Sequence, residues 1–129
     1  MDSPREHPRA SQVRSVLRGL ISSVDSGIRA SAAISSDGMV IASVLTRETD
    51  PDRFAAMSAS LLALAERAIV ETQRGLLKQL LIEGTEGALL LVQAGDDAVL
   101  AVSTDPGALI GKIFLKARAS AEELRKALA

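Results

Sequence analysis

The side chains that most often perform chemistry are scarce in this chain. His7 is its only histidine, in a polar N-terminal stretch, and the chain has no cysteine. A Ser-His-Asp triad needs a histidine inside the fold, and a zinc site needs several histidines or cysteines. Two pairs of neighbouring acids are left, Asp96-Asp97 and Glu122-Glu123, but adjacent side chains diverge on a strand or a helix. We therefore predict a protein that is not an enzyme, with no catalytic residue and no metal ligand.

The glycines also lack the spacing of a phosphate-binding loop. The Gly84-x-x-Gly87 and Gly107-x-x-x-Gly111-Lys112 segments match neither a dinucleotide fingerprint nor a P-loop. Lys112 is followed by an isoleucine inside a predicted helix, where a P-loop has Ser or Thr. The sequence thus predicts no bound nucleotide and no other cofactor.

Net charge and hydropathy further reduce the number of possible function classes. The 129-residue chain has a formal net charge of −1, with acidic and basic residues interspersed, whereas nucleic-acid binding usually needs a clear basic excess. No apolar run approaches the roughly 20 residues of a membrane span, and the charged N-terminus differs from a signal peptide. We expect a cytoplasmic protein without nucleic-acid binding and without stable membrane insertion.

Basic side chains recur near helical spacing towards both ends of the chain. They are Arg5, Arg9, Arg14, Arg18, Lys112, Lys116 and Arg118. A solvated helix surface is the ordinary interpretation, and weak contact with an anionic membrane or an acidic partner is the alternative.

The sequence predicts a short N-terminal leader followed by one domain. Residues 1–10 hold two prolines and several charges, which predicts a disordered leader before a domain over residues 11–129. From Ser11 onward, apolar residues follow the one-sided pattern of a helix. They are Val13, Val16, Leu17, Leu20, Ile21 and Val24. Gly27 is placed to end this helix in a left-handed conformation.

Two β-compatible runs, 29–34 and 39–45, are joined through Ser36-Asp37-Gly38, and Asp-Gly between two such runs predicts a hairpin. On the second run, Val40, Ala42 and Val44 are expected to share one face.

An Asp-Pro pair predicts the start of each later helix. Asp50 can cap the longest helix and Pro51 fits its first position, with Gly75 as the predicted stop. Three strands follow, over 76–83, 88–94 and 98–103. Asp105-Pro106 then precedes the last helix.

The middle helix is apolar around its whole circumference. On a helical wheel, one side is expected to pack on the sheet. It holds Phe54, Met57, Leu61, Leu64, Ala65 and Ala68. The other side carries methyl groups where a solvated helix carries charge, and we favour a subunit or partner interface there over alanine chosen for its helix propensity. The predicted interface residues of this helix are Arg53, Ala56, Ala59, Ser60, Ala63, Arg67 and Val70.

The strand after this helix has large aliphatic residues on both faces. As an edge strand it could pair with a second copy through its free backbone groups, or Lys78 could keep such an edge monomeric. The predicted interface residues of this segment are Leu77, Lys78, Gln79, Leu80 and Leu81.

Together these features resemble the Roadblock/LC7 (dynein light chain) family over residues 11–128. The resemblance is carried by the first helix ending near Gly27, the hairpin over 36–42 and the Ala-rich middle helix. The strand over 87–92 and the Leu109-Ile110-Gly111-Lys112 segment complete it.

The resemblance implies an α+β, profilin-like sandwich in the order α-β-β-α-β-β-β-α. Its five-stranded antiparallel sheet would carry the middle helix on one face and the terminal helices on the other. The resemblance also implies homodimers, or larger assemblies, in which the third strands pair edge to edge and the middle helices lie side by side. Family members regulate or dock small Ras-like GTPases, and some stimulate GTP hydrolysis.

The leading hypothesis is a non-catalytic homodimeric module that docks and regulates a small Ras-like GTPase. The alternative is a light-chain-like scaffold subunit with no GTPase partner. A third hypothesis is a small-molecule sensor with a pocket beside the sheet.

Overall fold

A computed structural model describes residues 7–23 and 27–129 and places them in three helices and five strands. The helices are α1 (Ala10–Ser22), α2 (Pro51–Glu71) and α3 (Ile110–Leu128). The strands are β1 (Ile28–Ser35), β2 (Val40–Val44), β3 (Gln79–Gly84), β4 (Gly87–Gln93) and β5 (Ala98–Thr104). The predicted order of elements is confirmed.

The strands form one antiparallel sheet in the order β2-β1-β5-β4-β3, so β2 and β3 are its edges. Helices α1 and α3 cover one face, where Leu17, Ala33 and Leu124 belong to one buried cluster. Helix α2 covers the other face, where Leu62 and Leu91 belong to a second cluster. This is the sandwich that the family resemblance implies, and that expectation is confirmed.

The apolar stripe of α1 packs on the sheet as predicted. Its buried members are Val13, Leu17 and Leu20, with Val16 and Ile21 packed against them. Val24 and residues 1–6 lie outside the described residues. Ala10, predicted as the last residue of the leader, is the first residue of α1 and is buried. The disordered leader before it stays a prediction.

A turn over residues 36–38 joins β1 to β2, as the Asp-Gly pair predicts. The expectation that Val40, Ala42 and Val44 share a face is wrong. A bulge shifts the register of the β1–β2 pair, and one extra residue sends the following side chains to the opposite face. Val40 consequently packs towards α2, while Ala42 and Val44 pack towards α1 and α3.

Two predicted helix ends are also corrected. Helix α1 ends at Ser22, so Gly27, with a φ of +67°, leads into β1 and does not cap the helix. Helix α2 ends at Glu71, before Gly75, because Gln73 adopts a left-handed φ of +57°. The N–H groups of Gln73 and Arg74 then donate to the carbonyls of Val70 (3.0 Å) and Ile69 (2.9 Å), as in a Schellman cap.

Asp105-Pro106 does not start α3. The Asp105 carboxylate instead accepts a hydrogen bond from Nε of Arg29 (2.9 Å), and α3 begins at Ile110. The two Asp-Pro pairs thus have different roles, one as a helix cap and one as a tie between β1 and the loop after β5.

Among the described residues, no helix is both long and apolar enough to span a membrane.

Candidate interaction surface

The start of α2 is fixed by its cap. The Asp50 carboxylate accepts hydrogen bonds from the N–H groups of Asp52 (3.0 Å) and Arg53 (3.5 Å), and Pro51 occupies the first turn. These contacts satisfy backbone donors that have no partner within the helix. They also place Arg53 on an exposed first turn.

The face of α2 that packs on the sheet differs from the predicted one. Ala55, Ser58 and Leu62 are buried against it, whereas Met57 and Leu64 are 53% and 62% exposed. Small side chains form the contact, and the facing side of the sheet also contains alanines. Helix α2 can therefore pack close to the sheet. Because apolar residues occur on all sides of α2, the helical wheel alone could not determine which side of the helix faces the sheet.

The two flanks of α2 lie beside different parts of the sheet. Gly38, in the β1–β2 turn, is so close that a methyl group on it would lie 3.6 Å from Cβ of Ala59. Phe54, on the other flank, lines a cleft together with Ile82 of β3 and Leu89 of β4. At about 100° per residue, Leu61 falls on the same flank as Phe54.

Strand β3 is an edge strand. Its residues pair with β4 alone among the described residues, so its outer backbone N–H and C=O groups are available to another strand. Leu80 and Ile82 lie on the α2 side of the sheet, opposite Leu91 and Leu89 of β4. Gln79 lies on the other side, where its side-chain oxygen accepts a hydrogen bond from Arg118 of α3 (3.1 Å).

We call the apolar region formed by these two elements the α2–β3 surface. Its residues are Met57, Leu61 and Leu64 of α2 with Leu80 and Ile82 of β3. Leu61 and Ile82 are 36% and 37% exposed. Large apolar side chains grouped on one surface are typical of sites that another protein covers.

The interface residues predicted from the sequence lie close to this surface without coinciding with it. Exposed members are Arg53, Ala56, Ser60, Ala63, Arg67, Val70 and Lys78, and half-buried members are Ala59, Leu77, Gln79, Leu80 and Leu81. Leu80 is common to both sets. Met57, Leu61 and Leu64 are absent from the predicted interface because the helical wheel assigned them to the side that packs on the sheet. Their mutual spacing nevertheless marks them as one stripe.

Ionisable groups do not converge on this surface. Among the described residues, no three His, Cys, Asp or Glu side chains are arranged to hold a metal ion. The hydrogen bond from Arg125 lowers the pKa of Glu122, but both residues lie on α3, across the sheet. The arrangement suits binding through shape, apolar contact and backbone pairing.

Comparison with known proteins agrees with this fold. The family model described as Roadblock/LC7 domain matches residues 19–104. The chain belongs to the Roadblock/LC7 family. This Roadblock/LC7 chain is also 36% identical over 99 residues to the uncharacterized protein MJ1340 of Methanocaldococcus jannaschii, a match that covers 77% of this chain and 86% of that protein.

Two solved structures share the Roadblock/LC7 fold seen here. Myxococcus xanthus MglB superposes with a TM-score of 0.86 at 19% identity, covering 98% of this chain and 94% of MglB. A Roadblock/LC7 domain from Streptomyces avermitilis superposes with a TM-score of 0.80 at 22% identity, covering 88% of this chain and 95% of that domain. At these identities the likeness concerns the fold.

Proposed function

We propose that this Roadblock/LC7 protein is a non-catalytic homodimeric module that docks a small Ras-like GTPase and regulates it. The observation that supports the proposal is the α2–β3 surface, an apolar helix flank beside an unpaired sheet edge. These two features are what a second copy of the chain would cover in the dimer that the family resemblance implies.

The proposed dimer is isologous, so each copy uses the same surface. The two β3 strands pair antiparallel and extend the sheet across both copies, while Leu61 and Leu64 of each α2 pack against the partner helix. The exposed side of the paired helices then presents Arg53, Ser60 and Arg67, and this is the proposed docking site of the GTPase. The setting is the cytoplasm, since GTP is an intracellular nucleotide.

Regulation through this site needs no catalytic residue of its own. A docked partner can hold the switch loops of the GTPase in one arrangement and so change its rate of hydrolysis. Donation of an arginine to the transition state is the second route. Arg53 and Arg67 are exposed on α2 and are the candidates for it.

The test is a pull-down from the lysate of the source cell, with the tagged protein as bait and with GDP or a non-hydrolysable GTP analogue added. We expect one small GTPase to be recovered in a nucleotide-dependent way. The proposal is wrong if the protein neither binds nor alters any GTPase of its own cell. Recovery of large non-GTPase subunits alone would favour the scaffold hypothesis.

Single-turnover hydrolysis with the recovered GTPase separates the two routes. Arg53→Ala and Arg67→Ala are compared with Arg74→Ala, which removes an exposed arginine just beyond α2. A loss of about 1,000-fold or more in the stimulated rate, confined to one of the first two variants, identifies a donated arginine. Equal stimulated rates in all three indicate ordering of the switch loops.

A further inference from the structure

Charge is unevenly distributed between the layer formed by α1 and α3 and the rest of the fold. Residues 9–22 and 110–128, which form α1 with its preceding residue and α3, carry eight basic and two acidic side chains. Residues 27–109 carry eleven acidic and six basic side chains. The α1–α3 layer on one face of the sheet is therefore positive, whereas residues 27–109, which form the sheet, α2 and their loops, are negative in sum.

The positive charge is concentrated where α1 ends and α3 begins. Nζ of Lys116 donates a hydrogen bond to Oγ of Ser23 (3.2 Å), which places the end of α1 beside the early turns of α3. Arg18 and Lys112 are both exposed on these segments. Residues 14–22 and 110–121 contain no acidic side chain.

The two acids of this layer lie further along α3, and one of them is already engaged. The Glu122 carboxylate accepts two hydrogen bonds from the Arg125 guanidinium (3.0 and 2.6 Å). The excess of positive charge at the other end of the layer is therefore not neutralised by its own helices.

Large apolar side chains project from the same region. Leu115 is 69% exposed and Leu109 is 67% exposed. Leu115 lies between Lys112 and Arg118 at helical spacing, on the side of α3 that faces away from the buried Ile113. Exposed leucines beside lysines and arginines are typical of helices that lie at a membrane interface.

We infer that the α1–α3 layer docks peripherally on an anionic lipid bilayer, with Arg18 and Lys112 at the headgroups and Leu115 inserted among them. Nucleic-acid binding usually needs a basic excess over the whole domain, and this chain has a net charge of −1. An acidic protein needs a surface shaped to both helices, whereas a bilayer adapts to them. Docking in this orientation leaves the α2–β3 surface facing away from the lipid.

The test is flotation of the purified full chain with vesicles of phosphatidylcholine alone or mixed with phosphatidylglycerol. We expect binding to the mixed vesicles, and weaker binding as salt is raised because ions screen the attraction. The absence of binding to the mixed vesicles at low salt would overturn the inference. No GTPase enters this assay, so its outcome is separate from that of the proposed function.

Two charge variants test which side binds. Arg18→Gln/Lys112→Gln and the control Arg47→Gln/Arg74→Gln each remove two exposed positive charges. The first pair lies on the α1–α3 layer and the second in the loops on either side of α2. We expect the first to lower vesicle affinity about 25-fold, on a scale of about fivefold per basic residue, and the second to lower it less than about twofold. Equal losses would show attraction by net charge alone and would overturn the inference.

A second pair tests the apolar contact and the rival partners. Leu115→Ser should weaken vesicle binding about tenfold, since burial of each CH₂ in lipid is favourable, while Leu76→Ser, at a leucine that is 89% exposed, should not. Polyglutamate and duplex DNA serve as competitors. If either is bound as tightly as the mixed vesicles, with no effect of Leu115→Ser, an acidic partner or a nucleic acid replaces the membrane.

Discussion

At the scale of one residue, Gly87 shows how tightly the sheet restricts the position that follows the turn between β3 and β4. It opens β4 with a φ of +134°, a region that side chains other than glycine rarely adopt. A Cβ atom there would lie 2.3 Å from the carbonyl oxygen of Thr104 on β5. Both the positive φ and the lack of room for a Cβ atom therefore require glycine at position 87.

We expect Gly87→Ala to lower the free energy of unfolding by about 3 kcal/mol or more, since it adds a backbone clash to an unfavourable φ. Gly107→Ala is the matched control: its φ is +76°, and no atom of residues 7–23 and 27–129 outside its immediate chain neighbours lies within 4 Å of the added Cβ. The control should cost about 1 kcal/mol. Urea unfolding followed by circular dichroism measures both, and equal losses would contradict the described β4–β5 packing.

Ser58 is a second residue whose environment is set by the tertiary structure. It is 1% exposed on the side of α2 that packs on the sheet, and its hydroxyl has no hydrogen-bond partner among the described residues. We expect Ser58→Ala to raise the free energy of unfolding by about 1 kcal/mol, because the variant removes a buried polar group that lost its water without gaining a bond.

The control for Ser58 is Ser31→Ala. Ser31 is equally buried, but its hydroxyl donates to the carbonyl of Leu17 (3.4 Å). This variant should leave the free energy of unfolding unchanged or lower it by up to about 1 kcal/mol. A destabilised Ser58→Ala protein in the same unfolding experiment would indicate a different rotation of α2.

At the scale of elements, the rotation of α2 determines which side chains form the proposed interaction surface. Its cap at Asp50 follows from local chemistry and is confirmed. Its rotation depends on which side chains let it approach the sheet, and Ala55 and Ser58 do so better than Met57 or Leu64. A helix with apolar residues all around has no preferred side until its neighbour is known.

The rotation of α2 predicts which flank forms the proposed dimer. Leu64→Glu should weaken self-association about 100-fold, because it places a charge in the apolar contact of each copy. Ala63→Glu, on the flank beside the β1–β2 turn, should weaken it little. Analytical ultracentrifugation measures both dissociation constants. A dimer abolished by Ala63→Glu and kept by Leu64→Glu would restore the interface predicted from the wheel.

The matched control for this pair is Leu115→Glu, which puts the same charge at an equally exposed leucine on α3. Its dissociation constant should equal that of the unchanged protein. A wild-type chain that sediments as a monomer at micromolar concentration would contradict the proposed dimer itself.

At the scale of the whole molecule, the order of the strands separates two surfaces. The sheet leaves β3 at an edge beside α2, and it holds α1 and α3 on the opposite face. The apolar α2–β3 surface and the basic α1–α3 layer therefore face in opposite directions. The proposed protein partner and the proposed lipid surface would therefore lie on opposite sides of one domain.

The sequence by itself determined the order of the elements, the Asp-Gly hairpin, the cap at Asp50 and the family, because these depend on neighbouring residues and on spacing along the chain. The tertiary structure decided the bulge that divides Val40 from Ala42 and the rotation of α2. Each of these depends on contacts between residues distant in sequence, which local patterns do not encode.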